Sequence, residues 1–155
     1  MDMQFELFTG SLLSGTYNFL TLALPDGWTI QRTRMPPDIY YMGVVNGKRW
    51  ILEGYAAYFM VNVVTGDSYE LAIEVKKSSR HRPVEAGEKV TSFAGHTAYL
   101  SQRDYVRGFL KKVKVKEFVL RTECDVTGRR IYISITSPYD LPEEVLEKMR
   151  ESSCH

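Results

Sequence analysis

Two runs of alternating apolar residues, Phe118 to Cys124 and Arg129 to Thr136, are separated only by Asp125-Val126-Thr127-Gly128, and this spacing demands an antiparallel hairpin. Gly128 suits a backbone position with φ > 0, and Asp125 and Thr127 carry side chains that bond to turn backbone. With these four residues as the loop, Cys124 stands opposite Arg129, Thr122 opposite Ile131, Leu120 opposite Ile133 and Phe118 opposite Ile135. Every apolar partner then lies on one face, and a slip of one residue would turn that face to solvent. On the other face Glu123 meets Arg130, a favourable cross-strand pair. The pattern shifts phase near Lys116-Glu117, which predicts a bulge or bend there.

A helix is predicted after the hairpin. Asp140 serves as N-cap, Glu143 follows three residues later as in a capping box, and Pro142 fits a first turn. Leu141, Val145, Leu146 and Met149 form the apolar stripe, and the helix is expected to end near Ser152. A strand of the length of 129–136 spans about 26 Å, and the helix spans about 18–20 Å. A helix folded back over the isoleucine face therefore brings Cys154 towards Cys124, so a Cys124–Cys154 disulfide is one expectation and two separate thiols the other. Such a bond in the cytoplasm is rare outside hyperthermophiles.

Earlier in the chain, 3–8 alternates as a strand with Met3, Phe5 and Leu7 on one face, and 9–16 reads as a loop or one poor helical turn. Tyr17 to Leu24 is a strand presenting Leu20, Leu22 and Leu24. Pro25-Asp26-Gly27 is a turn, and Trp28 to Arg34 is a strand. Met35 to Asp38 reads as a loop. Asn46-Gly47 and Thr65-Gly66 mark two hairpins, so 39–76 reads as a three-stranded meander. Pairing Val63 with Ser68 sets Met60 against Leu71, Tyr58 against Ile73 and Ala56 against Val75. Residues 77–92 are polar and read as a long surface loop, and Phe93 to Gln102 as a further strand. The fold expected is α+β: one domain, 1–155, with a bent antiparallel sheet of hairpins and meander packed by the short C-terminal helix. The alternative is a small β-barrel plugged by that helix.

The formal net charge is +1, but nine basic and four acidic residues lie between Arg103 and Arg130, leaving −4 for the remainder. Arg103, Arg107, Lys111, Lys112, Lys114, Lys116 and Arg121, interleaved with Tyr105, Phe109 and Phe118, form a basic strip with the composition of a nucleic-acid or polyanion-binding surface. The competing reading is a solvated sheet edge guarded by lysine. Arg107-Gly108-Phe109 opens like an RNA-recognition signature, without the aromatic pattern that should follow. Tyr40, Tyr41 and Trp50 are candidates for an aromatic pocket, with core packing as the alternative. Of the histidines, His81 reads as exposed, His96 as structural at a strand start, and His155 as a weak chelating partner for Cys154 and Cys124. No CxxC or HxxxH spacing supports a metal site, and no metal or other cofactor is expected. GxGxxG, GxxxxGK[ST], GxSxG and HExxH are all absent.

Phe19-Leu20-Thr21-Leu22-Ala23-Leu24-Pro25-Asp26-Gly27-Trp28, Phe93-Ala94-Gly95-His96-Thr97-Ala98-Tyr99 and the closing stretch Ile131 to Cys154 together resemble the PsbP-like superfamily, the extrinsic photosystem II protein and its relatives. The resemblance implies an antiparallel sheet flanked by helices and a non-catalytic binding role. It carries over no functional residue.

No apolar run approaches the roughly 18–20 residues of a membrane span, and the N-terminal MDMQFELF lacks the pattern of a signal peptide, so a cytoplasmic location without membrane attachment is expected. The functional expectation is a non-enzymatic protein-binding or scaffold module, whose partner is another protein or a second copy of the chain. Nucleic-acid or polyanion binding through the basic strip is the first alternative. A small-molecule binder or enzyme using the aromatic pocket is the second.

Overall fold

The computed structural model describes residues 3–11, 15–32, 42–45, 48–63, 66–77 and 85–154. Among them are β1 (Met3–Ser11), β2 (Gly15–Leu24), β3 (Trp28–Arg32), β4 (Met42–Val45), β5 (Lys48–Ile51), β6 (Ala56–Val63), β7 (Ser68–Lys77), β8 (Lys89–Phe93), β9 (His96–Arg107), β10 (Val113–Cys124), β11 (Arg129–Ser137) and one short helix, α1 (Glu143–Met149). The strands form two sheets, one of four in the order β2-β1-β5-β4 and one of seven in the order β3-β6-β7-β11-β10-β9-β8. The α+β description thus holds only coarsely. Among the described residues sheet dominates, there are two sheets rather than one bent one, and neither closes into a barrel.

The β10–β11 hairpin has the predicted register at every pair, from Cys124 opposite Arg129 to Phe118 opposite Ile135. Its turn is closed by the Gly128 N–H donating to the Cys124 carbonyl at 2.8 Å, with Gly128 at φ 67°. The Arg130 guanidinium donates to Glu123 at 2.8 and 2.5 Å. No bulge interrupts β10 at Lys116-Glu117, because the ladder to β9 runs through from Val113 to Thr122 without a shift and the ladder to β11 starts in register at Lys116. The apolar phase changes there for another reason, since the strand leaves the core and enters an exposed extension.

Four other expectations are corrected. The loop expected at 9–16 is largely strand, since β1 runs to Ser11 and β2 starts at Gly15, with a bulge between Leu7 and Phe8. The meander over 39–76 is divided. The β4–β5 hairpin pairs Val45 with Lys48 as its Asn-Gly signal predicts, but it joins the small sheet through a parallel contact of Trp50 with Phe8. The β6–β7 register is one residue from the expected one, pairing Met60 with Glu70 and Phe59 with Leu71. Finally, the surface loop expected at 77–92 contains β8. A tight turn at Ala94-Gly95, with φ 54° and 80°, joins β8 to β9. The loop expected at Met35 to Asp38 lies outside the described residues.

One core lies between the sheets. Phe5, Leu7, Leu20, Leu22 and Leu24 of the small sheet meet Phe59, Leu71, Ile73, Val75, Ile131 and Ile133 of the large one. Phe5 and Phe59 pack edge to face with centroids 5.2 Å apart. The helix contributes Val145 and Met149. It starts later than predicted and is not capped by Asp140, whose carboxylate accepts from Lys116 instead. Pro142, in an extended conformation, precedes the first turn, where Glu143 and Glu144 complement the helix dipole. The helix ends at Met149 rather than near Ser152. Beyond it the chain lies along the edge of β2. Thr21 and Ser153 exchange backbone hydrogen bonds of 2.6 and 3.0 Å, and the Ala23 N–H donates to Ser152 Oγ at 2.8 Å. That covers an edge otherwise open to further pairing.

Candidate functional site

Two places carry chemistry that the core does not need. The first is the far end of the β9–β10 hairpin. β8 pairs with β9 only over His96 to Leu100, and β11 pairs with β10 only from Lys116 onward. Tyr105 to Val115 is therefore a two-stranded finger flanked by neither strand. Its tip turns at Gly108, where φ is 110° and a Cβ would run into the Lys111 carbonyl, so only glycine fits without movement. Phe109 and Leu110 at the tip are each 94% exposed, and Val106 and Val113 below them are also exposed. At the base lies an open depression of about 330 Å³ between Asp104, Tyr105, Val106, Lys114, Lys116 and Pro138.

The seven cations of the basic strip divide along this finger. Arg103 pairs with Glu117 at 2.7 Å, Arg107 with Glu70 at 2.5 Å, and Lys116 with Asp140. Arg121 is buried with Glu88. The hydrogen bond from Arg107 to Glu70 raises the arginine pKa further, against the opposing effect of burial. Lys111, Lys112 and Lys114 make no ion pair among the described residues; Lys111 and Lys112 follow the apolar tip directly, and Lys114 stands below it opposite Val106. Trp50 is half-buried, with Nε1 enclosed and lacking a hydrogen-bond partner among the described residues. Tyr40 and Tyr41, its expected companions in a pocket, lie outside the described residues, as do His81 and His155.

The second place is at the opposite end of β10. Cys124 and Cys154 are both buried and adjacent, as the strand and helix lengths predict, but they are thiols with no bond between them. The Cys124 thiol donates to the Cys154 carbonyl at 3.6 Å. His96 is the member that sequence reasoning missed. One of its ring nitrogens and both sulfurs lie within 4.8 Å of one another. Continuing the β9–β10 register two residues past Ala98 opposite Thr122 places His96 opposite Cys124. The signal was therefore the pairing of β9 with β10, which the Gly108 turn marks. On the outer side, Asp125 Oδ1 is 3.5 Å from His96 Nδ1, while Nε2 is buried. Arg129, opposite Cys124, reaches Glu53 at 2.7 Å and lies 5.8 Å from the Tyr17 ring. Burial, partly offset by Arg129, raises the Tyr17 pKa.

Comparison of the chain with family models, with curated proteins and with solved structures gives no match. Among the described residues no helix is long and apolar enough to cross a membrane.

Burial away from water, reinforced by the hydrogen bond and charge of Cys124, raises the Cys154 pKa from 9.0 to about 12. Between those values the folded chain holds a proton that the unfolded chain releases. The stability of the neutral buried thiol is therefore complete below pH about 9 and is lost as pH rises towards about 12. Without added metal, thiol labelling of the native protein near pH ~8 is expected to be far slower than labelling of the denatured protein. Rapid native labelling of Cys154 would contradict the burial.

Proposed function

We propose that the protein is a non-catalytic binding module that docks onto a protein partner through the β9–β10 finger. The observation that carries this reading is the tip, where Phe109 and Leu110 stand almost fully in solvent, followed directly in the chain by Lys111 and Lys112 and then by Lys114 on the adjoining strand. Exposed apolar side chains on a projecting element are what an interface anchor needs, since their burial supplies affinity. The three lysines favour a partner whose apolar pocket has an acidic rim, and they steer encounter and register more than they add affinity.

A photo-cross-linking residue placed at Phe109 is expected to give one discrete protein adduct in cells. A probe at half-exposed Tyr58, on β6, is expected to give none. With the purified pair, Phe109→Ala combined with Leu110→Ala should weaken binding by at least about thirtyfold, the size of a hot-spot loss. Lys111→Glu with Lys112→Glu should slow association and remove its salt dependence. No adduct at Phe109, or binding of the purified pair unaffected by both sets of changes, overturns the proposal.

The same lysines support a second reading, polyanion binding. Only three cations of the strip are left without carboxylate partners among the described residues, so the log–log salt slope for duplex DNA should be no steeper than about −2.7. Anisotropy of labelled oligonucleotides decides between the readings. Binding with that slope and loss in Lys114→Ala favours the polyanion.

A further inference from the structure

We propose that His96, Cys124 and Cys154 form a binding site for a thiophilic divalent metal ion of the zinc type, which ties the C-terminal segment to the β9–β10 end of the large sheet. This goes beyond the docking role of the finger and involves none of its residues. The three ligand types are the usual donors of such ions, two sulfurs and an imidazole nitrogen. Magnesium and calcium prefer oxygen and suit this set poorly.

The spacing fits. In a tetrahedral site with Zn–S of about 2.3 Å and Zn–N of about 2.0–2.1 Å, ligand atoms lie about 3.5–3.8 Å apart. Here all three are already within 4.8 Å of one another, so small side-chain rotations close the site. The imidazole is prepared for the role. Asp125 faces Nδ1 at 3.5 Å and Nε2 is the buried ring nitrogen, the arrangement in which a carboxylate orients a metal-binding histidine. Charge also balances. Each thiol releases its proton to solvent on binding, and two thiolates with one divalent ion and a neutral imidazole form an uncharged group, which a buried site tolerates.

The ligands come from three separate parts of the chain, each held by backbone. His96 follows the Ala94-Gly95 turn, and Cys124 closes β10 against Arg129. Cys154 follows Ser153, whose paired hydrogen bonds to Thr21 fix the segment on β2. Pre-positioned ligands reduce the ordering cost of binding.

The test is cobalt(II) titration of the full-length protein, purified and kept under reducing conditions. The expected result is one equivalent bound, with thiolate-to-cobalt charge-transfer absorption and the intense visible bands of tetrahedral cobalt, both removed by one equivalent of zinc. Cys124→Ser and Cys154→Ser should abolish the charge-transfer intensity in stages. Because both cysteines are buried and a serine in their place tests the fold as well as the site, His96→Ala, at a partly exposed position, is the decisive variant. It should stay folded by circular dichroism and lose at least about tenfold in affinity, no less than the loss of a supporting second partner costs. No cobalt–thiolate band in the folded, reduced protein overturns the proposal. So does a His96→Ala variant that binds cobalt with unchanged affinity and spectrum, since the imidazole would then not be a ligand.

Discussion

Phe59→Ala is expected to cost about 3–5 kcal/mol of folding stability, as loss of a buried aromatic does when the space cannot collapse. Met60→Ala and Tyr58→Ala should each cost about 1 kcal/mol or less, the usual range for positions not enclosed by core. Phe59 is buried, faces Leu71 across the ladder and packs against Phe5 of the other sheet, so its ring joins the two layers. Tyr58 is 45% exposed and points to the opposite side. Urea denaturation of the three variants measures the difference. If Met60→Ala proves costlier than Phe59→Ala, β6 is paired one residue away from the register described above. A loss of this size is a large share of the 5–15 kcal/mol typical of a domain, so Phe59→Ala should be prepared at low temperature.

The same strand shows what the sequence could decide. Residues 56–63 read Ala-Ala-Tyr-Phe-Met-Val-Asn-Val, and both alternating sets contain apolar residues. Alternation therefore does not choose a face. Asn62 does, because it shares the face of Tyr58 and Met60 and cannot be buried there without a partner. It lies at the turn, where Ser68 Oγ donates to its Oδ1 at 3.0 Å. The expected register assumes a four-residue turn like that of the β10–β11 hairpin, and the turn differs. Here the Val63 N–H reaches the Asp67 carbonyl at 3.0 Å, and Asn62 rather than Val63 stands opposite Ser68. By contrast, Phe118 to Thr136 was fully legible, since its turn residues and single apolar face agree on one register.

What local pattern could not give is which sheet a hairpin joins. The β4–β5 hairpin is signalled by Asn46-Gly47, yet its place beside β1 depends on a parallel contact between Phe8 and Trp50 that no local feature announces. The thiol–imidazole cluster is intermediate. Strand and helix lengths bring Cys154 to Cys124, because the helix follows the far end of β11 and runs back towards the turn that Cys124 precedes. His96 enters only once β9 is known to pair with β10 as far as Ala98 and that register is continued by two residues. The finger was hidden for the same reason. Read as one basic strip, Arg103 to Arg121 shows seven cations. Folded, it has three paired near the surface, one buried and three at an apolar tip.

That buried cation gives the second large expected effect. Arg121→Met should destabilise the fold by about 3–5 kcal/mol, because it leaves the Glu88 carboxylate enclosed without its counter-charge. Arg121 points away from the core, between the inward-facing Leu120 and Thr122, yet its side chain is only 4% exposed and that of Glu88 8%. The guanidinium donates through Nε and Nη2 to the two carboxylate oxygens, both at 2.8 Å, and sits 4.2 Å from the Tyr99 ring centroid. The hydrogen bonds that Arg121 donates to Glu88 raise the arginine pKa against the effect of burial, so the guanidinium stays charged. The pair also fixes the start of β8, since Glu88 directly precedes Lys89. Glu88→Leu alone should be similarly costly. Arg121→Met with Glu88→Leu should cost much less than the sum, because no unpaired charge remains and apolar side chains fill the space. A double-mutant cycle by denaturant titration measures the coupling. If Arg121→Met costs less than about 1 kcal/mol, the level of a solvated surface pair, then 85–88 does not cover β10 and β8 is held by its backbone ladder to β9 alone.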